Sequence, residues 1–95
     1  MVHINFETLK SWEKEGKSFQ LIDVREVEEH TAYNIGGTLI PLSEVIREKE
    51  KLQLDRPIVF YCKRGIRSQI AIQKLSRFFP TANFYNLEKG IGLNS

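Results

Sequence analysis

Cys62 is the only cysteine of the chain, and it lies between an apolar run, Pro57-Ile58-Val59-Phe60-Tyr61, and the segment Lys63-Arg64-Gly65-Ile66-Arg67-Ser68, where a helical pattern begins. A thiol at a strand-loop-helix junction is a candidate nucleophile. The positive end of the helix, the N–H groups of a tight loop and the cations Lys63, Arg64 and Arg67 all favour thiolate over thiol. A lone cysteine at a strand end is more often a small buried hydrophobe. A merely structural turn has no use for this set of cations, however, and Gly65 suits a backbone that takes an unusual φ or comes close to a ligand. Lys63 and Arg64 also suit ordinary solvated charge, whereas Arg67 closes the loop at the mouth of the helix. The loop reads as a cradle for an anion beside a sulfur.

The rest of the chain supplies the elements that position this loop. Asn5 is a candidate N-cap for a helix through Phe6, Leu9 and Trp12, with Gly16 as its stop. Residues 19–24 read as a strand, Arg25 to His30 as a charged helical turn, and Thr38 to Ile40 as a short strand after Gly36-Gly37. Ser43 is expected to cap a helix through Val45, Ile46 and Lys49. Ile58 to Tyr61 form the third strong strand. Ser68 is expected to cap a helix with Ala71, Ile72, Leu75, Phe78 and Phe79 on one face, ended by Pro80, and residues 83–87 form the last strand. Strands separated by helices, with continuous apolar runs rather than alternation, define an α/β fold with a mostly parallel sheet covered by helices on both faces. Ligands of such sheets gather beyond the carboxyl ends of the strands, where Cys62 falls. Asp23 is also at a strand end; a helix N-cap is the preferred reading for it, ahead of direct chemistry.

Composition bounds the function. At 95 residues with 41% apolar and 27% charged positions, the chain is expected to be one globular domain over residues 1–95. Its longest apolar run, Ile58 to Cys62, is far short of a membrane span, and no leader pattern opens the sequence, so a cytoplasmic protein without membrane partners is expected. One cysteine excludes an internal disulfide, a zinc site of several thiolates and an internal resolving thiol. The net charge of +2 is too small to argue for nucleic acid, and Arg47-Glu48-Lys49-Glu50-Lys51 alternates in sign like a solvated face. His3 and His30 fit surface or packing roles better than a Cys-His pair. Most of the aromatic residues fit core positions rather than a cofactor box.

Leu21-Ile22-Asp23-Val24-Arg25-Glu26, Glu29, the stretch Asn34 to Leu42, and Cys62 to Ser68 together resemble a single-domain rhodanese, a sulfurtransferase fold, over nearly the whole chain. The resemblance places the active-site cysteine at Cys62 and the six-residue active loop at Cys62, Lys63, Arg64, Gly65, Ile66 and Arg67, whose amides hold the outer sulfur of a persulfide. Asp23 and Arg25 belong, by the same resemblance, to the architecture beside the site. Asn34 replaces a frequent His, and Gly37-Thr38 replaces a small apolar pair, both conservative for a turn. The segment Glu88 to Ser95 keeps one glycine of the family's pair and stops before its usual Trp and terminal helix.

The resemblance implies a two-step transfer without cofactor or metal. The Cys62 thiolate takes the sulfane sulfur of an anionic donor such as thiosulfate, releasing sulfite, and passes it to cyanide or a cellular thiol. Lys63, Arg64, Gly65, Ile66, Arg67 and Ser68 form the substrate-binding set: the loop N–H groups stabilise the anion, and the cations attract the donor. The alternative is a rhodanese-like module that relays sulfur to a protein partner, or only binds one, without turnover on small donors. A cysteine-dependent phosphatase or arsenate reductase ranks below both. Such a phosphatase needs C-x-x-x-x-x-R, and here Ser68 stands where that arginine would fall.

Overall fold

The computed structural model describes residues 1–92. Its centre is the strand predicted from Ile58 to Tyr61, in which β-branched and aromatic residues fill consecutive positions and every residue is buried. With the elements numbered along the chain, the strands are β1 (Val2–Ile4), β2 (Gln20–Asp23), β3 (Thr38–Leu39), β4 (Ile58–Tyr61) and β5 (Phe84–Leu87). The helices are α1 (Phe6–Glu15), α2 (Val27–Ala32) and α3 (Ile66–Ser76). The strands form one sheet in the order β1-β5-β4-β2-β3, and every neighbouring pair is parallel. The α/β architecture is therefore the one the sequence implies.

Strand alternation sends side chains to two cores. On one face Ile22, Ile58, Phe60 and Phe84 meet Ala71, Ile72 and Leu75 of α3, along with Ile40, Val45 and Leu52. On the other, Leu21, Val59, Tyr61 and Leu87 meet Ile4 and Leu9, with Trp12, Phe19 and Tyr85 around them. Trp12 makes edge contacts with Phe19 and Tyr85 at centroid distances of 5.6 and 5.3 Å. Helix α1 starts and stops where expected: the Asn5 side chain accepts the Thr8 N–H at 2.8 Å, and Gly16 forms the C-cap.

Three local expectations are corrected and one element is added. Val2–Ile4, unassigned from sequence, is an edge strand held by β5, with Ile4 opposite Leu87. The helix expected after Ser43 is replaced by two 3-10 turns, Leu42–Glu44 and Lys49–Lys51, closed by three-residue hydrogen bonds from Val45 N–H to the Leu42 carbonyl at 3.4 Å and from Leu52 N–H to the Lys49 carbonyl at 3.2 Å. Helix α3 begins at Ile66 with Gly65 as its N-cap, so Ser68 is an interior, fully buried helical residue and not a cap. That helix ends at Ser76, and Phe78 leaves the buried face to stand half exposed.

Candidate active site

Cys62 follows β4 directly, and strand alternation turns its side chain toward α3, in the core with Ile58 and Phe60. The residue is only 1% exposed. Gly65 bends the chain back with a φ of +85°, in the left-handed region that L side chains resist, and this aims its N–H at the sulfur. The Gly65 N–H donates to Cys62 Sγ at 3.1 Å and the Ser68 N–H at 3.4 Å. Both donors belong to the N-terminal end of α3, whose dipole also favours negative charge there.

The loop is fastened from behind by the turn after β5. Ile91 N–H donates to the Cys62 carbonyl at 3.0 Å, and Gly92 N–H to the Lys63 carbonyl at 2.7 Å. Gly90 lies so close beneath that a Cβ there would stand 2.3 Å from the Cys62 carbonyl oxygen. Lys89, beside it, adopts a φ of +65° although it is not a glycine. The sequence resemblance leaves this segment with one glycine of a pair, and Lys89-Gly90 occupies the place. The rest of the departure, residues 93–95, lies outside the described residues.

The loop cations separate into two groups. Lys63 and Arg64 are exposed, whereas Arg67 is drawn to α2, where its two terminal nitrogens bond the two Glu29 oxygens at 2.7 and 2.9 Å. Those bonds hold the Glu29 carboxyl down at about 2 and keep the Arg67 guanidinium protonated, with the nearby Cys62 adding to the latter. Glu29 also accepts the Glu26 backbone N–H at 3.0 Å, closing the cap of α2. Lys63, Arg64, Ile66 and Arg67 join Cys62 around a pocket of about 190 Å³. A larger cleft of about 420 Å³ lies next to it, with Lys63, Arg25, Glu29, Tyr33 and Ile91 among its walls. Cys62 lines the smaller pocket and not the larger one.

Behind the sulfur runs a line of polar groups in which Ser68, expected at the site, is joined by Asn86 and His3, which were not. Ser68 Oγ lies 3.4 Å from Cys62 Sγ and donates to Asn86 Oδ1, and the Asn86 amide nitrogen lies 3.1 Å from His3 Nδ1. Ser68 and Asn86 are buried. The one hint in the sequence was a polar Asn within the apolar run Phe84-Tyr85-Asn86-Leu87.

Asp23 is brought to the same end of the sheet but on the opposite face from Cys62, since it lies opposite Tyr61 in the β2–β4 register. It is not the cap of α2, which is Glu26. Its carboxylate instead accepts the Arg25 guanidinium at 2.9 to 3.2 Å, the Arg25 backbone N–H at 3.0 Å, and lies 2.8 Å from His30 Nδ1. Burial pushes the Asp23 carboxyl up, but the bonds from Arg25 and His30 outweigh it and leave it lowered. Arg25 donates onward to the Tyr33 carbonyl at 2.6 Å, so α2 is clasped to β2. Burial and the Asp23 charge push the Tyr61 phenol up to about 12, and its hydroxyl donates to the Gly36 carbonyl at 2.9 Å.

A sequence model described as the rhodanese-like domain matches residues 6–92, spanning strands β2 to β5, the cysteine loop and the turn beneath it. The chain belongs to the rhodanese-like domain family. Among curated members it is similar to the uncharacterized protein YqhL of Bacillus subtilis, 40% identical over 72 residues that cover 75% of this chain and 56% of YqhL. It is also similar to the putative sulfur carrier protein YrkF of the same organism, 32% identical over 75 residues that cover 78% of this chain and 40% of YrkF. The chain thus spans about half the length of these relatives. Its fold superimposes on a rhodanese-like domain protein from Staphylococcus aureus with a TM-score of 0.85 and 26% identity, covering 96% of this chain and 88% of that one. Among the described residues of this rhodanese-like chain, no helix is long and apolar enough to cross a membrane.

Proposed function

We propose that the chain is a sulfurtransferase that carries sulfane sulfur as a persulfide on Cys62. The observation that carries this reading is the Gly65 and Ser68 N–H pair directed at Cys62 Sγ, with the sulfur at the floor of a small cation-walled pocket. The Cys62 thiolate attacks the outer sulfur of an anionic donor such as thiosulfate. The donor's S–S bond breaks, sulfite leaves with the electron pair, and a Cys62 persulfide remains. Its terminal sulfur stands about 2 Å beyond Sγ, which brings a buried thiol's cargo out into the pocket. The loop N–H groups offset its charge, and Lys63 and Arg64 draw the donor in. Arg67 acts mainly from its place beside Glu29, shaping the pocket's cationic wall. An acceptor, cyanide or a cellular thiol, then attacks the terminal sulfur and the Cys62 thiolate is restored.

A relay to a protein acceptor is the second reading. The similarity to a putative sulfur carrier protein and the exposure of Ile66 (63%) at the rim of the pocket favour it, since an apolar rim residue suits contact with another protein.

Intact mass after incubation with thiosulfate, with and without cyanide, tests the proposal. Wild type is expected to gain one sulfur atom that cyanide removes, and Cys62→Ser to gain none. Sulfur loading that survives in Cys62→Ser would overturn both readings. Loading that is slow from thiosulfate but discharged rapidly to one protein thiol would select the relay.

A further inference from the structure

We propose that Asn86 is a positioning residue for the sulfur chemistry: by turning its amide over, it lets the Ser68 hydroxyl change from accepting the Cys62 proton to donating to the Cys62 thiolate or persulfide. The inference rests on Cys62 being the sulfur-carrying group.

A serine hydroxyl has one proton to give. In the structure Ser68 gives it to Asn86 Oδ1, so the side of Ser68 Oγ that faces Cys62 Sγ at 3.4 Å is a lone pair. That arrangement suits a thiol, whose S–H donates to Oγ, and opposes an anion. The thiolate needs the hydroxyl turned toward it, which leaves Asn86 Oδ1 without a donor at a buried site, a costly state. Turning the amide over removes the conflict. Asn86 Nδ2 then donates to Ser68 Oγ, and Oδ1 accepts from His3 Nδ1, the atom now 3.1 Å from the amide nitrogen.

The protons balance. On ionisation the Cys62 proton leaves to solvent, and neutral His3 moves its single ring proton from Nε2 to Nδ1 by exchange with water, which its exposed position on β1 permits. Both arrangements satisfy every buried polar atom of the line, and the second gives the sulfur a third donor beside the Gly65 and Ser68 N–H groups. An amide is suited to this because it presents a donor and an acceptor on one planar group. The charged groups facing the sulfur, Lys63, Arg64 and Arg67, with Glu29 of α2 behind Arg67, are common to both arrangements.

The test follows the ultraviolet absorbance of the Cys62 thiolate against pH, together with the rate of sulfur loading from thiosulfate. Asn86→Asp can only accept, which locks the Ser68 hydroxyl away from sulfur. It is expected to move the appearance of thiolate up by about one pH unit, with loading about ten-fold slower below that point. Asn86→Leu frees the hydroxyl to face sulfur and is expected to leave the curve close to that of wild type. In a Ser68→Ala background the effect of Asn86→Asp should fall to less than half, because the path through the hydroxyl is gone. An Asn86→Asp shift that persists in full with Ser68→Ala, or no shift in the folded variant, would overturn the proposal. Should Asn86→Asp not fold, Ser68→Ala must still move the curve up and Asn86→Leu must not; equal shifts overturn it. The titration needs no sulfur donor, so variant shifts as described together with a wild type that takes no sulfur would refute the proposed function and not the switch.

Discussion

Glu29 of α2 holds Arg67 of α3 through paired hydrogen bonds of 2.7 and 2.9 Å, so the last cation of the cysteine loop is anchored to a different helix from the one it opens. The same carboxylate caps α2, which ties loop position to helix position.

That pair gives a pH signature. Glu29 is held down at about 2 from an ordinary 4.5, so its contribution is fully present above about 4.5 and is lost as pH falls through about 2. Both side chains remain about a third exposed (32% and 31%), so solvent screening limits the pair to about 1 kcal/mol. Glu29→Gln should therefore be less stable than wild type by up to that amount at pH 6. The difference should close as pH drops from about 4.5 toward about 2. Urea unfolding across this range measures it.

Asp23→Asn should separate stability from chemistry. It leaves the buried Arg25 guanidinium without its anion, which costs about 3 kcal/mol or more. Because Asp23 faces away from Cys62, the folded fraction should still load sulfur at a rate near that of wild type. Urea unfolding gives the first quantity and intact mass the second; a large loss of loading in folded protein would place Asp23 in the chemistry.

Gly90→Ala should damage the loop itself. The new Cβ meets the Cys62 and Lys63 backbone at 2.3 to 2.5 Å, which no side-chain rotation relieves. A loss of more than about 2 kcal/mol in unfolding free energy and a fall in sulfur loading of about ten-fold or more are expected.

Lys89→Gly acts in the other direction. Lys89 keeps a left-handed φ of +65° at a cost that glycine does not carry, and its side chain is exposed. After allowing for the greater freedom of glycine in the unfolded chain, the variant should gain about 0.5–1 kcal/mol. Thermal unfolding checks this, and a loss of stability would show that the lysine side chain makes a contact worth more than the strain.

The cysteine loop and the sheet were legible because their signals are local: an apolar run, a cationic turn and a helical face follow one another along the chain. Asn5 and Gly16 mark the ends of α1 for the same reason. β1 was not legible, since Val2-His3-Ile4 becomes a strand only through pairing with β5, more than eighty residues away. Ser68 has the composition of a cap, but Gly65 takes that place and buries the serine against the sulfur. The roles of Asn86, His3 and the Arg67–Glu29 pair depend on contacts between elements, which spacing along one strand or helix does not encode. Asp23 looked like a local cap because it ends a strand just before a helical turn; Arg25 and His30 lie in the segment that follows, and burial makes them a clasp instead.

The polar line behind Cys62 begins just beyond the innermost strand and ends at a rim. β4 lies between two parallel neighbours with all its residues buried, whereas β1, which carries His3, has three residues and one neighbour. Local opening free energies fall steeply from central strands to short edges. Amide protons near Cys62 should therefore exchange on the timescale of global unfolding, and those of β1 much sooner. On that expectation the sulfur end of the line lasts as long as the fold, while its histidine end opens and re-forms with β1.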